Sequence, residues 1–290
     1  MNLFVFGLGY TALHLLRAHA HRFASVAGTA RSAEKIEVLR AEGIAARRLA
    51  PDGADPEIAA DLARADAVLA SVPPDGAGDP ALLRFGAALA GSPRVASVLY
   101  LSTTGVYGDH GGGWIDETTP AHPISARSRE RLAAEGAWLA LGRETGKAVR
   151  VFRLSGIYGP GRNALATLAA GGAKRVVKPG QVFNRIHVAD IATTLMASIE
   201  RPRPGAVYNL ADDEPAPPQE VLAFAAALAG VPPPPAVPFE EATLSPMAAS
   251  FYAENKRVRN RLIKDELGVR LRFPTFREGL RALREAGEGP

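Results

Sequence analysis

The first residues of the chain, NLFVFGLGYTALHLL, join a short apolar run to a helical pattern through two glycines. Gly7 permits a tight turn, and Gly9 lets the backbone approach a ligand closely. The start of the following helix offers free N–H groups and the positive end of its dipole. Ala12 stands in place of a third glycine and is still small enough for close packing of the helix on the strand. The pattern predicts a pyrophosphate-binding turn, with Tyr10 and Thr11 among its contact residues.

Short apolar runs and helical patterns alternate through the first half of the chain. Strands are predicted at Asn2–Phe6, Ser25–Thr29, Ala45–Leu49, Ala67–Val72, Ala96–Ser102 and Ala148–Leu154. Helices are predicted near Thr11–His21, Ala33–Glu42, Ile58–Arg64, Ala81–Ala90 and Ser128–Leu141. Continuous apolar strands between helices indicate a parallel sheet covered on both faces. With right-handed crossovers, the predicted fold is α/β: a Rossmann-type, doubly wound parallel sheet.

The regular alternation of strand and helix patterns ends after about Leu154, where short strands and helices are separated by loops. We expect a dinucleotide-binding domain over residues 1–158, to which residues 184–212 contribute. Residues 159–183 and 213–290 are predicted to form a smaller, interleaved substrate-binding lobe. In this lobe, residues 163–180 are predicted as a helix followed by a turn, and GVPPPPAVPF is predicted as a rigid extended linker.

The end of the second predicted strand reads VAGTARSAEK and carries no carboxylate at the strand end itself. A site that prefers NAD places an acidic side chain there to hold the ribose hydroxyls. Arg31, Ser32 and Lys35 stand there instead, and an arginine pairs with a 2′-phosphate. The sequence therefore favours NADP over NAD as the cofactor, although a solvated basic helix start would have the same residues.

Composition narrows the functional class. The 290 residues include no cysteine, which excludes disulfides, thiolate metal sites and a thiol nucleophile, and we assign no metal ligand. The net charge of +4 comes from scattered lysines and arginines rather than from a basic stripe, so no nucleic-acid partner is expected. A strand follows Met1 at once and no apolar run is long enough to span a bilayer. We expect a cytoplasmic protein with a small-molecule substrate and no membrane partner.

Six further motifs accompany the glycine turn along nearly the whole chain. They are LSTTGVYGD, DETTP, FRLSGIYGPGR, RIHVADIA, YNLADDEP and NKRVRNRLIKDELG. With these motifs the chain resembles the extended short-chain dehydrogenase/reductase superfamily, in the NAD-dependent epimerase/dehydratase group that acts on nucleotide sugars. Within that group it is most similar to atypical members that lack the usual active-site pair.

The resemblance implies roles for residues on the fifth predicted helix and on the strand before it. Thr103 would bind a substrate hydroxyl or carbonyl. The family's acid/base tyrosine should stand at Arg127 and its lysine at Arg131, since the accompanying glutamate matches Glu135. A guanidinium stays protonated, so Arg127 cannot act as a general base. Two readings stay open: both arginines bind an anionic ligand, or both lie on the helix surface.

The remaining candidates follow from their positions in the resemblance. Tyr107 is a candidate catalytic residue on the loop after the fifth long strand. Arg162 and Arg185 are candidate contacts for substrate phosphates. Ser71, Val72 and Ser102, at two strand ends, are predicted to contact the cofactor. A homodimer would pair through the helix that contains Trp138 and the helix near Ala81–Ala90.

Two functions from different classes fit these features. The first is an NAD(P)-binding oxidoreductase or epimerase-like enzyme acting on a nucleotide sugar or another anionic small molecule. The alternative is a catalytically inactive protein that senses NADP(H), for which the absence of the Tyr–Lys pair is the sequence support.

Overall fold

The structure is a computed structural model that describes all 290 residues. The strands are β1 (Asn2–Phe6), β2 (Ser25–Ala30), β3 (Ala45–Ala50), β4 (Gly53–Ala54), β5 (Ala67–Ala70), β6 (Ser97–Thr103), β7 (Trp114–Ile115), β8 (Ala148–Leu154), β9 (Gly156–Tyr158), β10 (Arg175–Val177), β11 (Arg185–His187), β12 (Val207–Leu210), β13 (Ala236–Pro238) and β14 (Arg257–Val258). The helices are α1 (Tyr10–Ala18), α2 (Ala33–Ala41), α3 (Glu57–Arg64), α4 (Pro80–Gly91), α5 (Ala126–Thr145), α6 (Ala164–Ala169), α7 (Val188–Glu200), α8 (Pro218–Ala229), α9 (Pro246–Tyr252), α10 (Arg261–Leu267) and α11 (Phe276–Glu285).

Eight strands form the main sheet in the order β12-β8-β6-β5-β1-β2-β3-β4. Strand β1 pairs in parallel with β2 on one side and with β5 on the other, while β3 and β4 pair antiparallel. The chain runs outward from β1 through β2 and β3, and then returns to build β5, β6 and β8 on the other side. This order confirms the predicted Rossmann-type sheet and puts its topological switch point beside β1, where such sheets bind ligands at the carboxyl ends of their strands.

The chain divides into two compact units. The first unit comprises residues 1–103, 126–153 and 192–208, and the second comprises residues 104–125, 154–191 and 209–290. The first unit has a core of apolar side chains from its sheet and helices, in which Phe4, Phe6 and Trp138 are fully buried. The second unit has its own core, in which Leu165, Ala225 and Phe276 are fully buried.

Helix α11 shows how the second unit closes its core. Thr275 and Glu278 form a reciprocal capping box at its N-terminus, which satisfies two of the backbone groups that a helix start leaves open. A Cβ on Gly279 would lie 2.2 Å from Tyr158 Oη, so only glycine lets the helix pack this closely on the tyrosine ring.

All six predicted strands of the first half are present, and Asn2–Phe6 and Ala148–Leu154 have the predicted ends. Two predictions in the second half are wrong in part. The predicted linker contains β13, which pairs in parallel with β10, because the extended backbone of this proline-rich segment finds an edge strand to bind. The helix predicted at the start of 163–180 is only α6, and β10 occupies the place of the turn.

None of the helices combines the length and the apolar character that a membrane crossing requires.

Candidate cofactor site

Gly7 forms the turn between β1 and α1 in a conformation that only glycine adopts readily. Its φ is +92°, and a Cβ at this position would lie 3.1 Å from Val72 Cγ1 and 3.2 Å from Val72 N. The Gly7 N–H donates to Thr29 Oγ1 at 3.0 Å, and the Leu8 N–H donates to Thr29 O at 2.8 Å. The turn is therefore clamped between the ends of β2 and β5, which fixes where the following helix begins.

Helix α1 begins at Tyr10, and its N-cap residue, Gly9, has no side chain to cap the helix. No side chain caps this end, and its first turn holds no acidic residue. A Cβ on Gly9 would have only Gly7 O within 4 Å, at 3.9 Å, so the space beside it is open. Tyr10 is half-buried, whereas Thr11 and Ala12 are buried against the sheet. Open backbone N–H groups, a helix dipole and no side chain in the way are what a pyrophosphate requires, so this cradle fits a dinucleotide.

The end of β2 presents two cations to solvent. Arg31 and Lys35 are exposed, and neither side chain forms a hydrogen bond or an ion pair. Ser32 is also exposed, and its Oγ caps α2 by accepting a hydrogen bond from Lys35 N at 3.4 Å. The two cations lie at the N-terminus of α2, a position that favours negative charge, and Glu34 in the first turn is the one acid between them.

Ser102, near the end of β6, is buried and its hydroxyl is already engaged. It donates to Glu135 Oε1 at 2.5 Å, and Arg153 Nη2 donates to Glu135 Oε2 at 2.7 Å. All three side chains are buried in the first unit. Ser102 therefore offers a ligand its backbone rather than its side chain. Thr103 follows it as the last residue of β6 and is half-buried.

Arg131 and Arg127 lie one turn apart on α5 and differ in environment. Arg131 is half-buried, and its Nη1 donates to Leu101 O at 3.0 Å, Tyr100 Oη at 3.1 Å and Val72 O at 3.3 Å. Arg127 is exposed and has no hydrogen-bond or ion-pair partner. The structure thus places Arg131 at the ends of β5 and β6, beside the residue that packs on Gly7, and leaves Arg127 at the helix surface.

Sequence reasoning missed Tyr100 and Asp79, which support Arg131. Tyr100 is fully buried and stacks on Trp138, whose Nε1 donates to Asp79 Oδ2 at 3.1 Å. A tyrosine inside an otherwise apolar predicted strand was the available signal, because a buried hydroxyl needs a partner.

Neither Tyr100 nor Tyr107 is placed to exchange a proton with a ligand. Burial raises the pKa of Tyr100 above its ordinary value. In the second unit, Tyr107 is fully buried, and its hydroxyl donates to Asn209 Oδ1 at 2.8 Å. This bond joins the loop after β6 to β12, so we interpret Tyr107 as a structural residue.

Two acids, Asp109 between β6 and β7 and Asp116 directly after β7, hold no proton at neutral pH. A hydrogen bond from Asn255 N–H, with further ones from Gly111 and His110, lowers the pKa of Asp109. Hydrogen bonds from Thr118 and Thr119 lower the pKa of Asp116. Neither carboxyl is therefore a proton donor.

The two candidate phosphate contacts belong to the second unit. Arg162 is exposed and closes a tight turn with Gly159 through backbone hydrogen bonds of 3.0 Å in both directions. Arg185 is half-buried, with Nη1 donating to Phe183 O at 2.9 Å and Ala216 O at 3.1 Å. Burial raises the pKa of nearby Asp212 to about 8, against the opposing effect of the Arg185 charge. Asp212 was not identified from the sequence.

Comparison with known proteins agrees with this architecture. Residues 85–211 match the family model described as the NAD dependent epimerase/dehydratase family. A functionally unknown conserved protein from Silicibacter pomeroyi DSS is 49% identical, with a TM-score of 0.89 over 99% of both chains. Protein YeeZ of Escherichia coli K12 is 28% identical over 217 residues, which are 71% of this chain and 76% of YeeZ.

A more distant solved structure shares the fold. UDP-glucuronic acid 4-epimerase from Bacillus cereus, in complex with NAD, is 16% identical, with a TM-score of 0.76 over 99% of this chain and all of that chain. The glycine turn and the parallel sheet agree with the match over residues 85–211, so the chain is similar in sequence and fold to the NAD dependent epimerase/dehydratase family.

Proposed function

We propose that the chain binds NADP(H) in preference to NAD(H) and acts as an oxidoreductase or epimerase-like enzyme on a small anionic substrate. The observation that carries the cofactor preference is the pair of unpartnered cations, Arg31 and Lys35, just beyond β2. A 2′-phosphate would accept hydrogen bonds from Arg31 and would meet the N-terminus of α2. Glu34 is the first acid after the strand, and it lies inside α2 rather than at the strand end.

The proposed cofactor contacts follow the edge of the sheet on both sides of the glycine turn. Gly7, Gly9 and the first residues of α1 would hold the pyrophosphate, and Arg31 would hold the 2′-phosphate. On the other side of the turn, Arg131 would hold the second ribose. When bound, the nicotinamide ring supplies the acceptor or donor of a hydride.

We infer an anionic substrate from the positive charge that α5 presents at its start. Arg127 lies in the first turn of this helix, which holds no acidic residue, so its charge is opposed by the helix dipole and unpaired. A carboxylate or phosphate of the substrate would pair with the Arg127 guanidinium and neutralise its charge. The relative from Bacillus cereus acts on UDP-glucuronic acid, which carries both groups, and we propose a nucleotide sugar or a similar anion here. Thr103 of the first unit would position it. Within the second unit, Arg162 and Arg185 are separately proposed as phosphate contacts.

Thermal unfolding with each cofactor tests the binding half of this proposal. A ligand that binds only the folded state raises the unfolding temperature, and NADPH should raise it more than NADH at equal concentration. Turnover is tested by following nicotinamide absorbance with a panel of nucleotide sugars and sugar acids. Thr103→Ala should abolish the turnover of any substrate found, whereas Thr103→Ser should retain part of it.

A second function, NADP(H) binding without turnover, is favoured by one specific observation. The family's acid and its cation are both replaced by guanidinium groups, and the hydroxyls of Tyr100 and Tyr107 are buried and engaged. The double variant Arg127→Tyr/Arg131→Lys distinguishes the two functions. Activity that appears only in this variant supports the sensing function, whereas activity of the wild type that the variant loses supports the enzyme.

A further inference from the structure

We propose that Tyr100 is a positioning residue that holds the Arg131 guanidinium in readiness for the nicotinamide-side half of the bound dinucleotide. The inference rests on the cofactor binding proposed above. It goes beyond it by assigning a role to a fully buried tyrosine that does not itself touch the cofactor.

The hydrogen bonds of Arg131 are concentrated on a single nitrogen. Nη1 serves Val72 O, Tyr100 Oη and Leu101 O, while Nε and Nη2 make no hydrogen bond within the protein. No carboxylate forms an ion pair with this half-buried guanidinium. A guanidinium has five N–H donors, and leaving several of them partly desolvated without acceptors is unfavourable. Neither nitrogen is among the buried atoms without a partner, so both remain accessible and can donate to oxygen acceptors of a ligand.

Tyr100 can hold the guanidinium because it is itself fixed. Its ring is stacked on Trp138, with 5.9 Å between centroids and 29° between planes. Trp138 is in turn held by Asp79, which also accepts hydrogen bonds from Ala81 N and Leu82 N at the start of α4. The Arg131 Cζ lies 5.6 Å from the Tyr100 ring centroid, so the ring supports the guanidinium as well as the hydroxyl.

The strand order assigns Arg131 to one half of the dinucleotide. Along the carboxyl edge the order is β2, β1, β5, β6, with the glycine turn after β1. Arg31 follows β2, and Arg131 binds Val72 beyond β5 and Leu101 in β6. The two arginines thus lie on opposite sides of the pyrophosphate cradle, about three strand spacings or roughly 14 Å apart along the edge. A ligand whose 2′-phosphate meets Arg31 extends its other ribose toward Arg131.

The test compares Tyr100→Phe with wild type in titrations of two ligands. NADPH contains both halves of the dinucleotide, whereas adenosine 2′,5′-bisphosphate contains only the adenosine side. Tyr100→Phe removes one acceptor from Arg131 Nη1 and should weaken NADPH binding by about fivefold, the effect of one hydrogen bond. Binding of the bisphosphate should stay within about twofold of wild type, because Arg31 and the glycine turn are unchanged.

Two further variants support the comparison. Tyr208→Phe is the matched control, since Tyr208 is also fully buried in the first unit, stacks on Phe152, and lies on the edge strand β12, two strands from β6. It should leave the ratio of the two affinities unchanged. Arg131→Met should lower NADPH affinity more than Tyr100→Phe does and again spare the bisphosphate, even if the tyrosine variant proves too unstable to titrate.

Each result has a defined meaning. Selective loss of NADPH affinity in Tyr100→Phe and Arg131→Met supports the positioning role. Equal loss of both ligands, or no loss of either, overturns it while the proposed cofactor binding stands. Failure of the wild type to bind either ligand overturns the proposed function and this inference together.

Discussion

The Glu135 carboxylate is buried against the Arg153 guanidinium, with 2.7 Å between Glu135 Oε2 and Arg153 Nη2. Arg153 Nε also donates to both carboxylate oxygens, at 3.1 and 3.2 Å, and Ser102 Oγ donates to Oε1. This network joins β6, α5 and β8 in the first unit. Because Arg131 precedes Glu135 by one helical turn, the same network fixes the rotation of α5 that points Arg131 at the sheet edge.

Glu135→Gln should destabilise the fold strongly. It leaves the Arg153 guanidinium buried without its counter-charge, and breaking one side of a buried pair costs about 3–5 kcal/mol. Urea unfolding measures this loss. The control is Asp265→Asn, which removes an exposed partner of Arg261 and should cost less than about 1 kcal/mol. Equal and small losses in both variants would show that the buried network does not hold α5 in place.

Gly7→Ala should abolish dinucleotide binding and destabilise the protein more than Gly43→Ala does. Both glycines have a positive φ, +92° and +81°, so both variants share a backbone strain of about 1–2 kcal/mol. A Cβ on Gly43 meets nothing within 4 Å, whereas one on Gly7 crowds Val72. Urea unfolding and NADPH titration of both variants separate strain from crowding. Unchanged NADPH affinity in Gly7→Ala would place the cofactor elsewhere.

Asp212 should make the second unit less stable as pH rises toward the alkaline side of neutrality. Burial raises the pKa of this carboxyl to about 8 from an ordinary value of 3.8. The folded state therefore keeps a proton that the unfolded chain has lost, and this stabilisation disappears as pH rises through about 8.

Asp212→Asn should flatten that dependence, since an amide stays neutral. The free energy of unfolding, measured by urea at several values between about pH 5 and pH 8, should fall more steeply with pH in wild type than in the variant. Asp265→Asn should keep the slope of the wild type. A slope that is the same in wild type and Asp212→Asn would show that this carboxyl is ionised in the folded protein.

The first half of the fold was predictable because its signals are local. Strands β1 and β5 are short runs of mostly apolar residues, and the glycine turn follows β1 directly in the sequence. Strand β13 was not predictable, since three residues carry no periodic pattern and its partner β10 lies about 60 residues earlier.

In the candidate site too, only the residues with local sequence signals were predictable. The glycine turn and Arg31 follow directly from strand ends, whereas the support of Arg131 depends on contacts between distant residues. Tyr100, Asp79 and Trp138 come together only when β6, the start of α4 and α5 pack against one another. Ser102 was correctly predicted near the end of a strand. Its hydrogen bond to Glu135 was not predictable, because the two residues lie 33 positions apart and no local pattern links them.

A fluorescence titration of wild type and Arg31→Ala with NADPH and with NADH tests the proposed cofactor preference most directly. Wild type should bind NADPH more tightly than NADH. Arg31→Ala should weaken NADPH binding by about 10-fold or more, the effect of losing a charge-assisted hydrogen bond, and leave NADH binding within about twofold. Equal affinity of wild type for the two cofactors, or equal loss of both in Arg31→Ala, would contradict the 2′-phosphate site at the end of β2.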